Sequence, residues 1–143
     1  MELEPIRFES LAPVLIVEQV EPTRNFLRDR LGFAQIAVVM HGDAVGFAML
    51  QRDAVTVMIQ SHVSLIDDVG PDAARAVNET ISGRGAAALY LRVNDVTLVV
   101  PALADADVIV PLRKTFYDMH EIMVREPGGH AITVASELSP SAS

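Results

Sequence analysis

The 143-residue chain has no cysteine, no tryptophan and only two tyrosines. Without a thiol it forms no disulfide, runs no thiolate catalysis and holds no zinc or iron–sulfur cluster through sulfur. Histidine and carboxylate are left as its metal ligands. No apolar run approaches the roughly 20 residues that span a bilayer. The opening MELEPIRFES lacks the basic start and long apolar stretch of a signal peptide. A cytoplasmic protein with no membrane partner is expected. Basic residues are also few: eleven Lys and Arg against nineteen Asp and Glu give a net charge of −8. That balance, with the basic residues scattered, excludes nucleic acid from the expected partners and favours cationic ligands.

What is present is apolar patterning, with half the residues hydrophobic, so residues 1–143 are read as one domain with a substantial core. LAPVLIV, from Leu11, reads as a strand. Glu21-Pro22-Thr23 opens a helix with proline in its first turn, Phe26, Leu27, Arg30 and Leu31 follow at helical spacing, and Gly32 caps it. Strands over Ala34–Met40, Val45–Leu50 and Ala54–Gln60 follow, separated by turn residues. The first unit, residues 11–61, is therefore β-α-β-β-β. Residues 62–85 read as a polar linker with one short helix, AARAVNETIS, carrying Ala73, Ala76, Val77 and Ile81 on its docking stripe. Residues 86–136 repeat the first pattern: strand AALYLRV, cap Asn94-Asp95, helical run DVTLVVPALADA weakened by Pro101, then three strands. Residues 137–143 are read as a flexible tail.

The stretch TFYDMHEIMVREPGGHAITV, Thr115 to Val134, organises this reading. Two alternating apolar runs flank Pro127-Gly128-Gly129, which marks a β-hairpin with Glu126–His130 as its turn. Alternation puts His120, Ile122, Val124, Ile132 and Val134 on a core face. Met119, Glu121, Met123 and Thr133 then share the other face, whose make-up suits a ligand wall.

Tyr-Asp-Met-His-Glu followed by Val-Arg-Glu-Pro-Gly-Gly-His resembles the closing hairpin of the vicinal oxygen chelate superfamily, which includes glyoxalase I, extradiol dioxygenases, fosfomycin resistance enzymes and bleomycin resistance proteins. LIVEQVEPTRNFLRDRLGF likewise resembles the family's opening strand, helix and Leu-Gly-Phe. The resemblance implies an α+β fold of two βαβββ modules whose curled mixed sheets surround a cleft, with a homodimer completing the sheets. It also implies where metal-dependent members place their ligands. Those positions fall on Ala12, Thr56 (or Val57), Ala88 and Thr133, which do not make a metal shell. No metal and no cofactor is therefore expected.

On the ligand-facing side alternation places Thr56, Met58 and Gln60 in the first module, with Phe47 beside them. The second module offers Tyr90, Arg92, Phe116, Met119, Glu121, Met123 and Thr133. The metal-free bleomycin resistance proteins are the members this chain most resembles, so the expected function is sequestration of an amphipathic, cationic, antibiotic-like molecule in the inter-module cleft. The alternative is a lyase, isomerase or dioxygenase of the same superfamily acting on a small metabolite, with Glu121 as general base.

Overall fold

The computed structural model describes residues 7, 9–81 and 87–138. Among these residues eight strands form two four-stranded sheets. The first contains β1 (Val14–Val17), β2 (Ala34–His41), β3 (Ala44–Arg52) and β4 (Val55–Ser61) in the order β1-β4-β3-β2. The second contains β5 (Ala88–Arg92), β6 (Asp107–Lys114), β7 (Met119–Arg125) and β8 (Ala131–Glu137) in the equivalent order β5-β8-β7-β6. β1 runs parallel to β4 and β5 parallel to β8, and every other pairing is antiparallel. This is the α+β architecture of two βαβββ modules. β8 extends through Glu137, one residue into the stretch expected as tail; residues 139–143 of that tail lie outside the described residues.

The helix α1 (Val20–Leu31) buries Val20, Thr23, Phe26, Leu27 and Leu31 against the first sheet. Gly32, at φ +72°, ends it, its N–H reaching Arg28 O at 3.1 Å while Phe33 N–H reaches Leu27 O at 3.1 Å. Glu21 in its first turn accepts a hydrogen bond from Val45 N–H at 3.1 Å, which holds its carboxyl below the usual carboxylate range. The corresponding stretch of the second module is not an α-helix. It is two 3₁₀ segments, Val96–Leu98 and Val100–Leu103, because Pro101 has no N–H to donate and its ring opposes the carbonyl one turn earlier. Val96 and Leu103 still reach the core, fully buried.

The linker holds two helices, α2 (His62–Val69) and α3 (Pro71–Ile81), packed on each other. α2 reads as polar connector in sequence because it buries only Leu65. On α3 the buried residue is Ala74, while Ala73, Ala76 and Val77 are exposed, so the docking stripe is displaced from the expected one. The Ile81 side chain and residues 82–85 of the linker lie outside the described residues.

One apolar cluster serves both modules, joining Leu15, Leu27, Leu50 and Ile59 of the first to Val96, Leu103, Ile122 and Val134 of the second. The other face of each sheet is left open. Among the described residues three polar contacts also fasten the modules together, and two come from the Glu126–His130 turn. Buried Glu126 accepts from Thr23 Oγ1 at 2.7 Å, from Gly128 N–H at 2.6 Å and from His130 N–H at 3.0 Å. Buried His130 accepts from Ala87 N–H on Nδ1 at 2.8 Å, which leaves Nε2–H to donate to Ile16 O at 3.2 Å. The third is the Arg30 guanidinium, which donates to Ala102 O at 3.1 Å and pairs with Asp105.

Candidate functional site

Pairing in the second sheet sets which side chains meet on its open face. Tyr90 lies beside Thr133, which lies beside Met123; Arg92 lies beside Ala135, which lies beside Glu121. Met119, Glu121 and Met123 therefore share that face with Tyr90, Arg92 and Thr133, as alternation requires. Glu121 is buried, 4 % exposed, although its face opens to solvent. Its neighbours cover it. The Tyr90 hydroxyl donates to Oε2, the Tyr117 hydroxyl donates to Oε1 at 2.8 Å, and the Arg113 guanidinium stands 3.4 Å from Oε1.

The phenols respond to that carboxylate. Partial burial, then the hydrogen bond to Glu121, push Tyr90 up to about 12. The Glu121 hydrogen bond, then burial, raise Tyr117. Both phenols stay protonated near neutrality and both act as donors to an anion already paired with Arg113. The chemical character of the cluster is a carboxylate held on both oxygens, by Tyr90 on Oε2 and by Tyr117 and Arg113 on Oε1, under two aromatic rings. Arg92 turns away to Glu137 at 2.8 Å. Phe116 is 95 % exposed and sets its ring edge-on to Tyr117, centroids 4.9 Å apart.

Tyr117 and Arg113 are absent from the sequence-derived set. Tyr117 lies in the turn between β6 and β7, where period-two alternation carries no face information. Arg113 faces Glu121 across β6 and β7, but that pairing slips between Val108 and Val110 and again between Val110 and Arg113. Counting by twos along VIVPLRK cannot survive two shifts. Pro111 sits among them, tolerated because β6 is an edge strand.

In the first sheet the open face carries Thr56, Met58 and Gln60 on β4, with Phe47 beside Gln60 and Met49 beside Met58. Met49 is a further residue the reading omitted, as are Val14 and Ile16, which pair with Met58 and Gln60 from β1. The two modules' sets meet at a cavity between them. This cavity, of about 260 Å³, opens at the seam between β4 and β5, over α1, and both Thr56 and Tyr90 border it. Ala88 borders it too, so two of the four positions where the family resemblance implies metal ligands line an apolar hollow.

Among the described residues no three His, Asp or Glu side chains gather as a metal site. Three of the four histidines have other partners: His41 pairs with Asp67 at 2.7 Å, His62 meets Asn78 at 3.0 Å, and His130 is engaged as described. Among the described residues no helix is long and apolar enough to cross a membrane.

A family model described as Glyoxalase/Bleomycin resistance protein/Dioxygenase superfamily matches residues 8–134. No curated protein matches the chain. Solved structures do. TioX from Micromonospora sp. ML1 superposes with a TM-score of 0.69 at 18% identity, over 92% of this chain and 100% of that one. A protein of unknown function from Agrobacterium tumefaciens str. C58 gives 0.64 at 23%, over 96% and 100%. The bleomycin-binding protein from bleomycin-producing Streptomyces verticillus, complexed with copper(II)-bleomycin, gives 0.59 at 19%, over 90% and 96%. Likeness at such identities establishes the fold alone. The match of the family model runs unbroken from before β1 into β8, across both modules, and makes this chain a member of the Glyoxalase/Bleomycin resistance protein/Dioxygenase superfamily.

Proposed function

We propose that the chain is a small-molecule binding protein that sequesters an amphipathic, antibiotic-like ligand on the open face of the second sheet without changing it chemically. The observation that carries this reading is the state of Glu121. A general base must be able to turn an oxygen toward a substrate proton, and donors that hold both oxygens oppose that. Here both carboxylate oxygens already accept from Tyr90 and Tyr117, and Arg113 answers the charge. The cluster offers rings to lie against and spare guanidinium donors, with Met119 and Met123 as adaptable apolar floor. A cationic ligand would have to compete with Arg113 for the carboxylate, so an amphipathic ligand without a fixed cation is favoured. A similar fold holding copper(II)-bleomycin gives the reading its plausible scale of ligand.

We also propose a homodimer as the working form. β2 exposes Ile36, Val38, Val39 and Met40, which lie on both of its faces, and β6 exposes Val108, Ile109 and Leu112. These are apolar edge strands, which stay soluble when a second copy covers them.

The test is a thermal-shift screen over antibiotics and metabolites. A ligand held at a hundred times its dissociation constant adds about 2.7 kcal/mol of stability. The expected hit is recovered unaltered and loses affinity in Tyr117→Phe and Glu121→Gln. Recovery of a converted product, with turnover abolished by Glu121→Gln, would replace sequestration by the enzyme reading with Glu121 as base.

A further inference from the structure

We propose that the seam cavity is a subsite for one neutral hydrophobic group, about the size of one or two fused rings, carried on the end of the bound ligand. The inference rests on the binding reading for its ligand but not for the cavity. Its walls come from both modules: Leu27, Leu31 and Phe33 from α1 and the residues that end it, Val57 from β4, and Leu89 and Ile132 from the second sheet. All thirteen bordering side chains are apolar except those of Thr56 and Tyr90.

Size and polarity select the occupant. An apolar cavity of about 150 Å³ admits benzene, and a hollow short of polar groups holds no well-ordered water, which needs two to four polar partners. This cavity, at about 260 Å³, has room for more than one such ring and has only two polar side chains to offer a water. Filling it with hydrocarbon removes apolar surface from water on both sides. No Asp, Glu, Lys, Arg or His borders it, so a charged group would enter uncompensated. Tyr90 also ties the cavity to the polar cluster, since its hydroxyl donates to Glu121. A ligand with its apolar end in the seam would therefore lay its polar portion toward Tyr90, Glu121, Tyr117 and Arg113. The substrate class is thus a polar scaffold bearing a terminal aromatic or alicyclic group.

The probe is naphthol, with naphthalenesulfonate as its charged counterpart, titrated into the full chain while the Leu, Val and Ile methyl resonances are followed. Naphthol is expected to bind saturably, one per chain, with shifts centred on Leu27, Leu31, Val57, Leu89 and Ile132, and the sulfonate at least about tenfold more weakly. Leu89→Phe, which fills the cavity from within, should weaken naphthol at least about tenfold. Ala88→Leu at its border serves the same purpose should the first variant not fold. Non-saturable shifts, shifts centred on β2 and β6, or equal affinity in a folded filled variant would overturn the subsite. Naphthol bound in the cavity while no amphipathic ligand is found would leave the subsite and remove the functional reading. A ligand that depends on Glu121 but is indifferent to the filled cavity would do the reverse.

Discussion

Glu121, Tyr90 and Tyr117 form a unit whose ionisation can be read directly. Both phenols are raised, Tyr90 to about 12 and Tyr117 in the same direction. The fold thus favours the protonated phenols. Their contribution to stability is complete below the unfolded value of about 10 and is lost as pH climbs through the folded values. These are the only tyrosines in the chain, so a spectrophotometric titration sees nothing else. Native protein should show less tyrosinate at about pH 10 than the urea-unfolded chain, which is half ionised there, with Tyr90 contributing almost none. Glu121→Gln should move the native onset down; a native titration centred near 10 would dissolve the cluster. At this scale Tyr90 and Glu121 could be placed on one face by counting in twos. Their partners could not, because Tyr117 sits in a turn and Arg113 lies beyond two register shifts. Thr133, also placed on that face by alternation, is buried at 6 % exposure.

At the scale of the element, the Glu126–His130 turn was legible as a turn but not as a fastening. Its two glycines serve different needs. Gly129 has φ +99°, a conformation that side chains avoid, with nothing within 4 Å of a Cβ built there. Gly128 needs space instead, for a Cβ on it would lie 2.5 Å from Thr23 Oγ1 and 2.6 Å from Val17 Cγ1, both on the other module. Those atoms belong to buried β-branched side chains with little freedom to retreat. Gly128→Ala should therefore cost about 1–3 kcal/mol through overpacking, seen as a lower urea midpoint at unchanged slope. Thr23→Val keeps the shape but removes the donor to Glu126 and should cost about 1–3 kcal/mol by the same measurement. An unchanged midpoint in both would mean that the turn does not fasten the modules. The 3₁₀ stretch shows the converse. Pro101 announced a weak helix, and what the sequence pattern could not show is that Val96 and Leu103 still anchor it fully buried in the core, with Val96 N–H held by Ser136 Oγ at 2.9 Å.

For the whole molecule, the repeat of Val55-Thr56-Val57 in Ile132-Thr133-Val134 was enough to find two modules of one architecture, because each must end on a strand paired to its opening one. How the modules attach was hidden, since side chains over a hundred residues apart leave no local periodicity. Association is checked by sedimentation at micromolar concentration. The wild type is expected as a dimer, and Ile36→Lys, which puts a charge on the β2 edge, as a monomer of unchanged fold. A monomeric wild type removes the homodimer. The fastening turn has a further consequence, in time rather than space. Thr23 and Glu126 are separated by 103 positions and Ile16 and His130 by 114, so among the described residues these bonds close very long loops, and they are expected to form only once both sheets exist. Substitutions there should leave the refolding rate nearly untouched and speed unfolding instead, so that the turn sets how long the native state persists rather than how fast it is reached.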